Sequence, residues 1–205
     1  MAGTTPIWKR AIDLGFVALT APIVVPVALA IAIAVALTSR GPVLFRQERA
    51  GHLGEPYTTL KFRTMLDGDN PLIPSDDRIT AVGRVLRRTS LDELPQLINV
   101  LRGEMSVVGP RPMLVAQAAV CDEAQRRRFD SLPGLTGWAQ INGRNSLAWA
   151  ERIDLDTWYV DNRSPLLDLR IMVRTPLAMA SGDGIDGHPV DDPFVARLTQ
   201  DASDA

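Results

Sequence analysis

Between Leu14 and Leu37 the chain runs for 24 residues without a charge, LGFVALTAPIVVPVALAIAIAVAL. This run limits the fold more than any other feature. A straight helix of that length measures about 36 Å, enough to cross a hydrocarbon core of about 30 Å. A cleaved secretion signal fits poorly, because the run is long and the domain that follows shows no sign of export. Pro22 and Pro26 lie one turn apart on the same helix face. Each lacks the N–H that would bond four residues back, so both bend the helix in the same sense. The carbonyls freed at Ala18 and Pro22 must turn towards protein or water. Basic residues flank both ends, Lys9 and Arg10 before and Arg40, Arg46 and Arg49 after. That arrangement is best satisfied when both ends stay on the cytoplasmic side. Re-entry, with the bend at the prolines, fits these facts better than a single crossing.

The remaining composition restricts the chemistry. The formal net charge is −2, so no global field calls for a nucleic acid or other polyanionic partner. Of 22 basic residues only Lys9 and Lys61 are lysine, and the arginine fork suits phosphate oxygens. The single cysteine, Cys121, excludes an internal disulfide, and two separated histidines make no zinc site. Chemistry here belongs to carboxylates and arginines.

The pattern predicts an α/β, helix-rich fold with a few short strands. It divides into a membrane-inserted helix over 1–40, a catalytic domain over 41–181 and an acidic, loosely ordered tail over 182–205. VLFRQ and TTLKFRTM read as strands, DGDNPLIPSDD as a surface loop, and ITAVGRVLRR as a short amphipathic helix. LPQLINVLRG reads as a helix with Gly103 at its C-cap. GEMSVVGPRP holds a short apolar strand and then Arg111, clamped between two prolines. A helix is expected from about Met113 to Phe129, with Arg126, Arg127 and Arg128 on an exposed face. PGLTGWAQINGRN carries an Asn-Gly turn just before Arg144. Two further helices, SLAWAERIDLDTWYV and LLDLRIMVRTPLAMA, close the domain. Trp149, Trp158 and Tyr159 suit either a core or a headgroup surface.

Residues 87–97, RRTSLDELPQL, place Asp92 and Glu93 just ahead of Pro95. Proline belongs in a first helical turn, so a helix starts near Ser90 to Asp92. Ser90 with Glu93 has capping-box spacing, and both acids suit the positive end of the helix. The same position suits catalysis. A carboxylate attacking phosphorus gives an acyl phosphate, provided arginine or a divalent cation offsets the substrate's charge. Arg87, Arg88 and Arg111 are close in sequence. Local sequence leaves capping and catalysis both open.

Taken together, these residues resemble the bacterial sugar transferase family, the small monotopic phosphoglycosyl transferases that load polyprenyl phosphate. The resemblance runs through KRAID, the proline-bent helix, GPVLFRQERAG, KFRTM, DDRITAVGRVLRRTSLDELPQLINVLRGEMSVVGPRP, PGLTGWAQINGRN, WYVDN and LLDLRIM. It implies a monotopic enzyme on the cytoplasmic face of a bacterial inner membrane, with interfacial amphipathic helices against the lipid. It implies a UDP-sugar and polyprenyl phosphate as substrates, Mg2+ as cofactor and UMP as product; homo-oligomerisation stays open. Asp92 matches the family's proposed nucleophile, which forms a phosphosugar–aspartate intermediate. Glu93 matches its partner, holding magnesium together with Asp92 or handling a proton. Arg111 matches the arginine of the GPRP motif, placed for a phosphate. Lys61, Arg87, Arg144 and Asp168 are further candidates for binding substrate. Pro26, with Pro22 beside it, matches the membrane bend. Two departures stand out: Val25 where many members have Ser, and Leu132 where many have Arg.

The tail SGDGIDGHPVDDPF is similar to that of members acting on bacillosamine-type sugars, which suggests an N-acetylated amino sugar. Two rivals remain. One is direct transfer without a covalent intermediate, and the other is an inactive membrane-anchored scaffold of the same fold.

Overall fold

The computed structural model describes residues 5–66, 78–143 and 146–180. Helix α1 (Ile7–Thr38) comes first and stays helical through Pro22 and Pro26. Strands β1 (Leu44–Ala50) and β2 (Pro56–Phe62) form an antiparallel hairpin, and β4 (Met113–Leu114) adds to the free side of β1. Strands β3 (Ser106–Val108) and β5 (Gly134–Thr136) make a separate parallel pair. The intervening helices are α2 (Ala81–Thr89), α3 (Gln96–Arg102), α4 (Val115–Ala119) and α5 (Glu123–Arg126). They are followed by α6 (Trp138–Ile141), α7 (Trp149–Asn162) and α8 (Pro165–Ala180). The helix-rich α/β expectation holds. The segment 67–77, Arg144 and the tail from 181 onward lie outside the described residues.

Both ends of α1 are built into the globular body. Lys9, Asp13 and Val17 recur every four residues and so share one buried face. Val17 joins a core with Val100, Met105, Val107, Tyr159 and Ile171. At the other end Ile31 and Val35 join Phe62 and Leu86 in a second core. Polar contacts reinforce the first attachment. Asp13 accepts hydrogen bonds from Ser106 Oγ and Val107 N–H, each at 2.8 Å. Arg10 donates to the carbonyls of Val100 and Leu101 in the last turn of α3, where carbonyls run short of intrahelical donors. Lys9 donates to Asp168 at 2.7 Å and to Tyr159 at 2.8 Å. These contacts revise the expected role of the first basic pair. Lys9 is 1% exposed, so it serves the fold rather than flanking the membrane.

Beyond Thr38 the chain turns extended at Ser39. Arg63 then donates to the carbonyls of Ser39 and Arg40 at 2.8 and 2.6 Å, closing the end of α1 against the hairpin.

Two expectations are corrected. The predicted helix from Met113 to Phe129 is split into β4, α4, α5 and a 3-10 turn, Arg127–Asp130. Arg128 is not on an exposed face; it is buried against Asp156 of α7. The aromatic residues divide between both expected environments. Trp149 and Tyr159 are core, while exposed Trp158 stacks on Trp138 at 5.0 Å. Leu166, Leu169, Val173 and Leu177 form an exposed apolar stripe along α8.

The two glycine-rich motifs meet backbone to backbone. A Cβ on Gly134 would lie 2.1 Å from Gly109 N, and one on Gly109 would lie 2.3 Å from Leu132 O. Gly15, in α1, has nothing within 4 Å of that position. Gly134→Ala is therefore expected to cost about 3 kcal/mol of stability or more. Gly15→Ala should gain about 0.5–1 kcal/mol from helix propensity. Thermal midpoints in detergent should move in opposite directions for the two variants.

Candidate active site

The stretch RRTSLDELPQL folds as a hinge between α2 and α3. Thr80 caps the start of α2 by accepting from Gly83 N–H, and Ser90 ends that helix with φ of +55°. Its N–H bonds back to Leu86 O and Arg87 O, the kind of stop usually built on glycine. The left-handed conformation costs a residue with a Cβ roughly 1 kcal/mol or more. It turns Leu91–Glu93 into a separate 3-10 turn ahead of Pro95, and α3 follows from Gln96. The capping-box expectation therefore fails: Ser90 makes no side-chain cap bond, and Glu93 looks elsewhere.

Glu93 faces β2. Its Oε1 accepts from Lys61 Nζ at 2.6 Å and lies 3.4 Å from Arg111 Nη2. Burial would raise this carboxyl, but Lys61 and Arg111, with Arg49 behind them, outweigh it and hold Glu93 down to about 2. Asp92, one residue earlier, is 8% exposed and has no hydrogen-bond or ion-pair partner among the described residues. Burial, aided by the Glu93 charge, pushes its carboxyl above the ordinary range against the pull of Lys61, Arg87 and Arg111. Two adjacent acids thus have different electrostatic states. Glu93 is committed to cations, and Asp92 is left unengaged.

A cleft opens beside Glu93, lined by Arg49, Lys61, Glu93, Gln96, Arg111 and Pro112 among others. Burial and the neighbouring Arg111 lower Arg49 to about 10, so it remains a cation at neutral pH. Three positive side chains around one committed carboxylate leave an excess of positive charge, which suits a phosphate-bearing ligand. Arg87, in the last turn of α2, reaches Met65 Sδ at 3.4 Å and acts on Asp92 through its charge.

The structure brings Lys61, Glu93 and Arg111 onto the cleft, whereas Asp92 and Arg87 are not among its lining residues and are tied to this group through charge. Asp168 does not line this cleft; its partners are Lys9 and Tyr159, the attachment point of α1. Arg144 lies outside the described residues. Sequence reasoning missed Arg49 as a site residue and treated it as a flanking charge. The signal was strand alternation. Arg49 pairs with Tyr57, two steps of two from Lys61, so both cations share one hairpin face. Seeing this requires the hairpin register.

As candidate ligands for a divalent cation, the two acids are suited to Mg2+. Glu93 Oε2 and the Asp92 carboxylate take no partner among the described residues. No group of three metal-binding side chains occurs among those residues. Mg2+ commonly binds through one or two carboxylates with the rest supplied by phosphate oxygens and water, which this set matches.

Comparison with known proteins gives one family. The model for bacterial sugar transferases matches residues 4–182. The chain is 49% identical over 147 residues to the uncharacterized sugar transferase EpsL of Bacillus subtilis, covering 70% of this chain and 73% of that protein. It is 39% identical over 196 residues to the exopolysaccharide production protein ExoY of Rhizobium meliloti, covering 86% of this chain and 87% of that protein. It is 43% identical over 190 residues to a UDP-glucose:undecaprenyl-phosphate glucose-1-phosphate transferase of Caulobacter vibrioides, covering 85% and 70%.

The depressed Glu93 carboxyl has a stability consequence with a definite sign. Its contribution is fully present above the unfolded value near 4.5 and is lost as pH falls towards about 2. Lys61→Met removes the main cation that holds it down, so denaturation midpoints between pH 2 and 6 should depend less steeply on pH in that variant.

Proposed function

The chain belongs to the bacterial sugar transferase family, and from that premise we propose that it moves a sugar 1-phosphate from a UDP-sugar to polyprenyl phosphate. The observation that carries this reading is Asp92, buried and without a hydrogen-bond or ion-pair partner among the described residues, beside a Glu93 whose charge is offset by Lys61 and Arg111.

In the first step an Asp92 carboxylate oxygen attacks the sugar-linked phosphorus. The bond between that phosphorus and the bridging oxygen breaks, and UMP leaves with the oxygen. In the second step a phosphate oxygen of the polyprenyl carrier attacks the same phosphorus. The Asp92–phosphorus bond breaks, the carboxylate is restored, and polyprenyl-diphosphate-sugar is released. Arg111 and Lys61 face the phosphate oxygens and offset charge as the phosphorus is attacked. Glu93, held at about 2, makes a poor proton acceptor near neutral pH, which favours an electrostatic role in the dyad over proton transfer. Mg2+ held by Asp92 and Glu93 would supply charge neutralisation at the phosphates.

The membrane reading is monotopic and re-entrant, facing the cytoplasm. Between Val17 and Ile31, both packed on the same body, residues 18–30 supply only about 20 Å of helix. That is short of the roughly 30 Å core. Pro22 and Pro26 are exposed on the face opposite the one that buries Asp13, Val17, Ile31 and Val35. A proline ring presses on the carbonyl four residues back and opens its own face, so both prolines bias the helix to close towards the body. The apolar stripe of α8 and the exposed Trp158 give a second contact with lipid. A carrier phosphate at the interface and a soluble nucleotide sugar then reach one cleft from two sides.

The sugar has two supports that differ. The Caulobacter relative is named for UDP-glucose, whereas the amino-sugar reading rests on the tail, outside the described residues. Purified protein in detergent should release UMP when given Mg2+, polyprenyl phosphate and one member of a panel containing UDP-glucose, UDP-galactose and N-acetylated amino-sugar nucleotides. Asp92→Asn should reduce this release by about a thousandfold or more, as expected for loss of a nucleophile, with a thermal midpoint no lower than that of the parent chain, because the buried charge is removed. No release with any member would overturn the reading. The acid limb of kcat/KM should lie above the ordinary carboxylate range, because burial raises Asp92 and the attacking form is ionised. Lys61→Met should move that limb further up.

A further inference from the structure

Arg111 sits in a segment with few backbone donors, because Pro110 and Pro112 on either side lack N–H groups. Its orientation must therefore be fixed through carbonyls. Three successive carbonyls are each taken by a donor from a different element. Gly134 N–H of β5 donates to Pro110 O at 2.9 Å. Arg128 Nη2 donates to Arg111 O at 2.9 Å. Arg49 Nη1 of β1 donates to Pro112 O at 3.4 Å. The middle donor belongs to a buried pair, since the same Arg128 Nη2 also contacts Asp156 Oδ2 of α7. Arg128 and Asp156 have side chains only 2% and 0% exposed.

The pair is costly as a device for stability alone. Arg128 Nε and Asp156 Oδ1 have no hydrogen-bond partner among the described residues, so part of the desolvation of both groups is uncompensated. Apolar side chains of similar volume often serve stability as well as a buried ion pair, or better. What apolar replacements cannot supply is a directional donor aimed at the carbonyl of Arg111. Asp156 fixes Arg128, and Arg128 fixes the backbone from which the Arg111 side chain reaches the cleft.

We propose that Arg128 and Asp156 are positioning residues for Arg111, acting through its carbonyl to hold the guanidinium where a substrate diphosphate binds. The proposal rests on the reading of the cleft as a phosphate site. Its test is a double-mutant cycle on the full chain, combining Arg128→Met/Asp156→Leu with Arg111→Met. Two readouts are followed: calorimetric affinity for inorganic pyrophosphate, which needs no turnover, and kcat/KM for UMP release. The Arg128→Met/Asp156→Leu replacement is expected to weaken both by about tenfold or more when Arg111 is present. In the Arg111→Met background the same replacement should change them by less than about twofold, because the effect passes through the missing guanidinium. Equal losses in both backgrounds would reduce the pair to general structural support and overturn the proposal. Unchanged affinity with Arg111 present would overturn it as well. If the apolar replacement does not fold, Arg128→Lys enters the same cycle under the same criterion. Coupling in pyrophosphate affinity without UMP release from any UDP-sugar would uphold the positioning role while sinking the proposed reaction.

Discussion

The Lys61–Glu93 ion pair is the contact on which the two neighbouring acids depend for their difference. Two adjacent carboxylates in one buried turn would raise each other's pKa and share a proton. Lys61 reaches Glu93 from β2 at 2.6 Å and Arg111 reaches it from the loop after β3. That draws the negative charge of Glu93 into a cationic cluster. Asp92 then remains without a direct partner among the described residues. The strained Ser90 makes this division geometrically available, because the left-handed turn places the acids on a 3-10 segment of their own instead of the first turn of α3.

The cluster draws on three separate segments of the fold. The hairpin supplies Lys61 and Arg49, the α2–α3 hinge supplies Glu93, and the loop leaving β3 supplies Arg111. That loop approaches closely enough because Gly109 and Gly134 allow backbone contact. β3 is in turn tied to α1 through Asp13, which accepts from Ser106 and Val107. The apolar helix is therefore an integral part of the structure that presents the site. An account in which α1 merely tethers a separate soluble domain does not fit Lys9, Asp13 and Val17 inside the body.

Much of this was legible in the sequence because the signals were local. α2, α3 with its Gly103 stop, α7 and α8 followed from periodicity, and Gly103 does adopt a left-handed φ of 81°. The two acids and Arg111 stood out by residue type and neighbouring prolines, and the fold brings Glu93 and Arg111 together with Lys61. The misreadings share a cause: they needed long-range partners. Arg128 looks like one of three solvated arginines until Asp156 arrives from 28 positions away. Lys9 looks like a membrane-flanking charge until Asp168 arrives from 159 positions away. The S-x-x-E spacing predicted a cap, but Lys61 offers Glu93 a charged partner in place of a backbone amide.

The central claim is that the unengaged Asp92 becomes covalently loaded. The most direct test is the intact mass of the purified protein after incubation with nucleotide sugar and Mg2+ and without any polyprenyl acceptor. The account predicts a mass increase of one sugar phosphate, with UMP released in equal amount, and no increase in Asp92→Asn. Acceptor-dependent UMP release from a protein that never gains mass would contradict it and would leave Asp92 as an organiser of direct transfer.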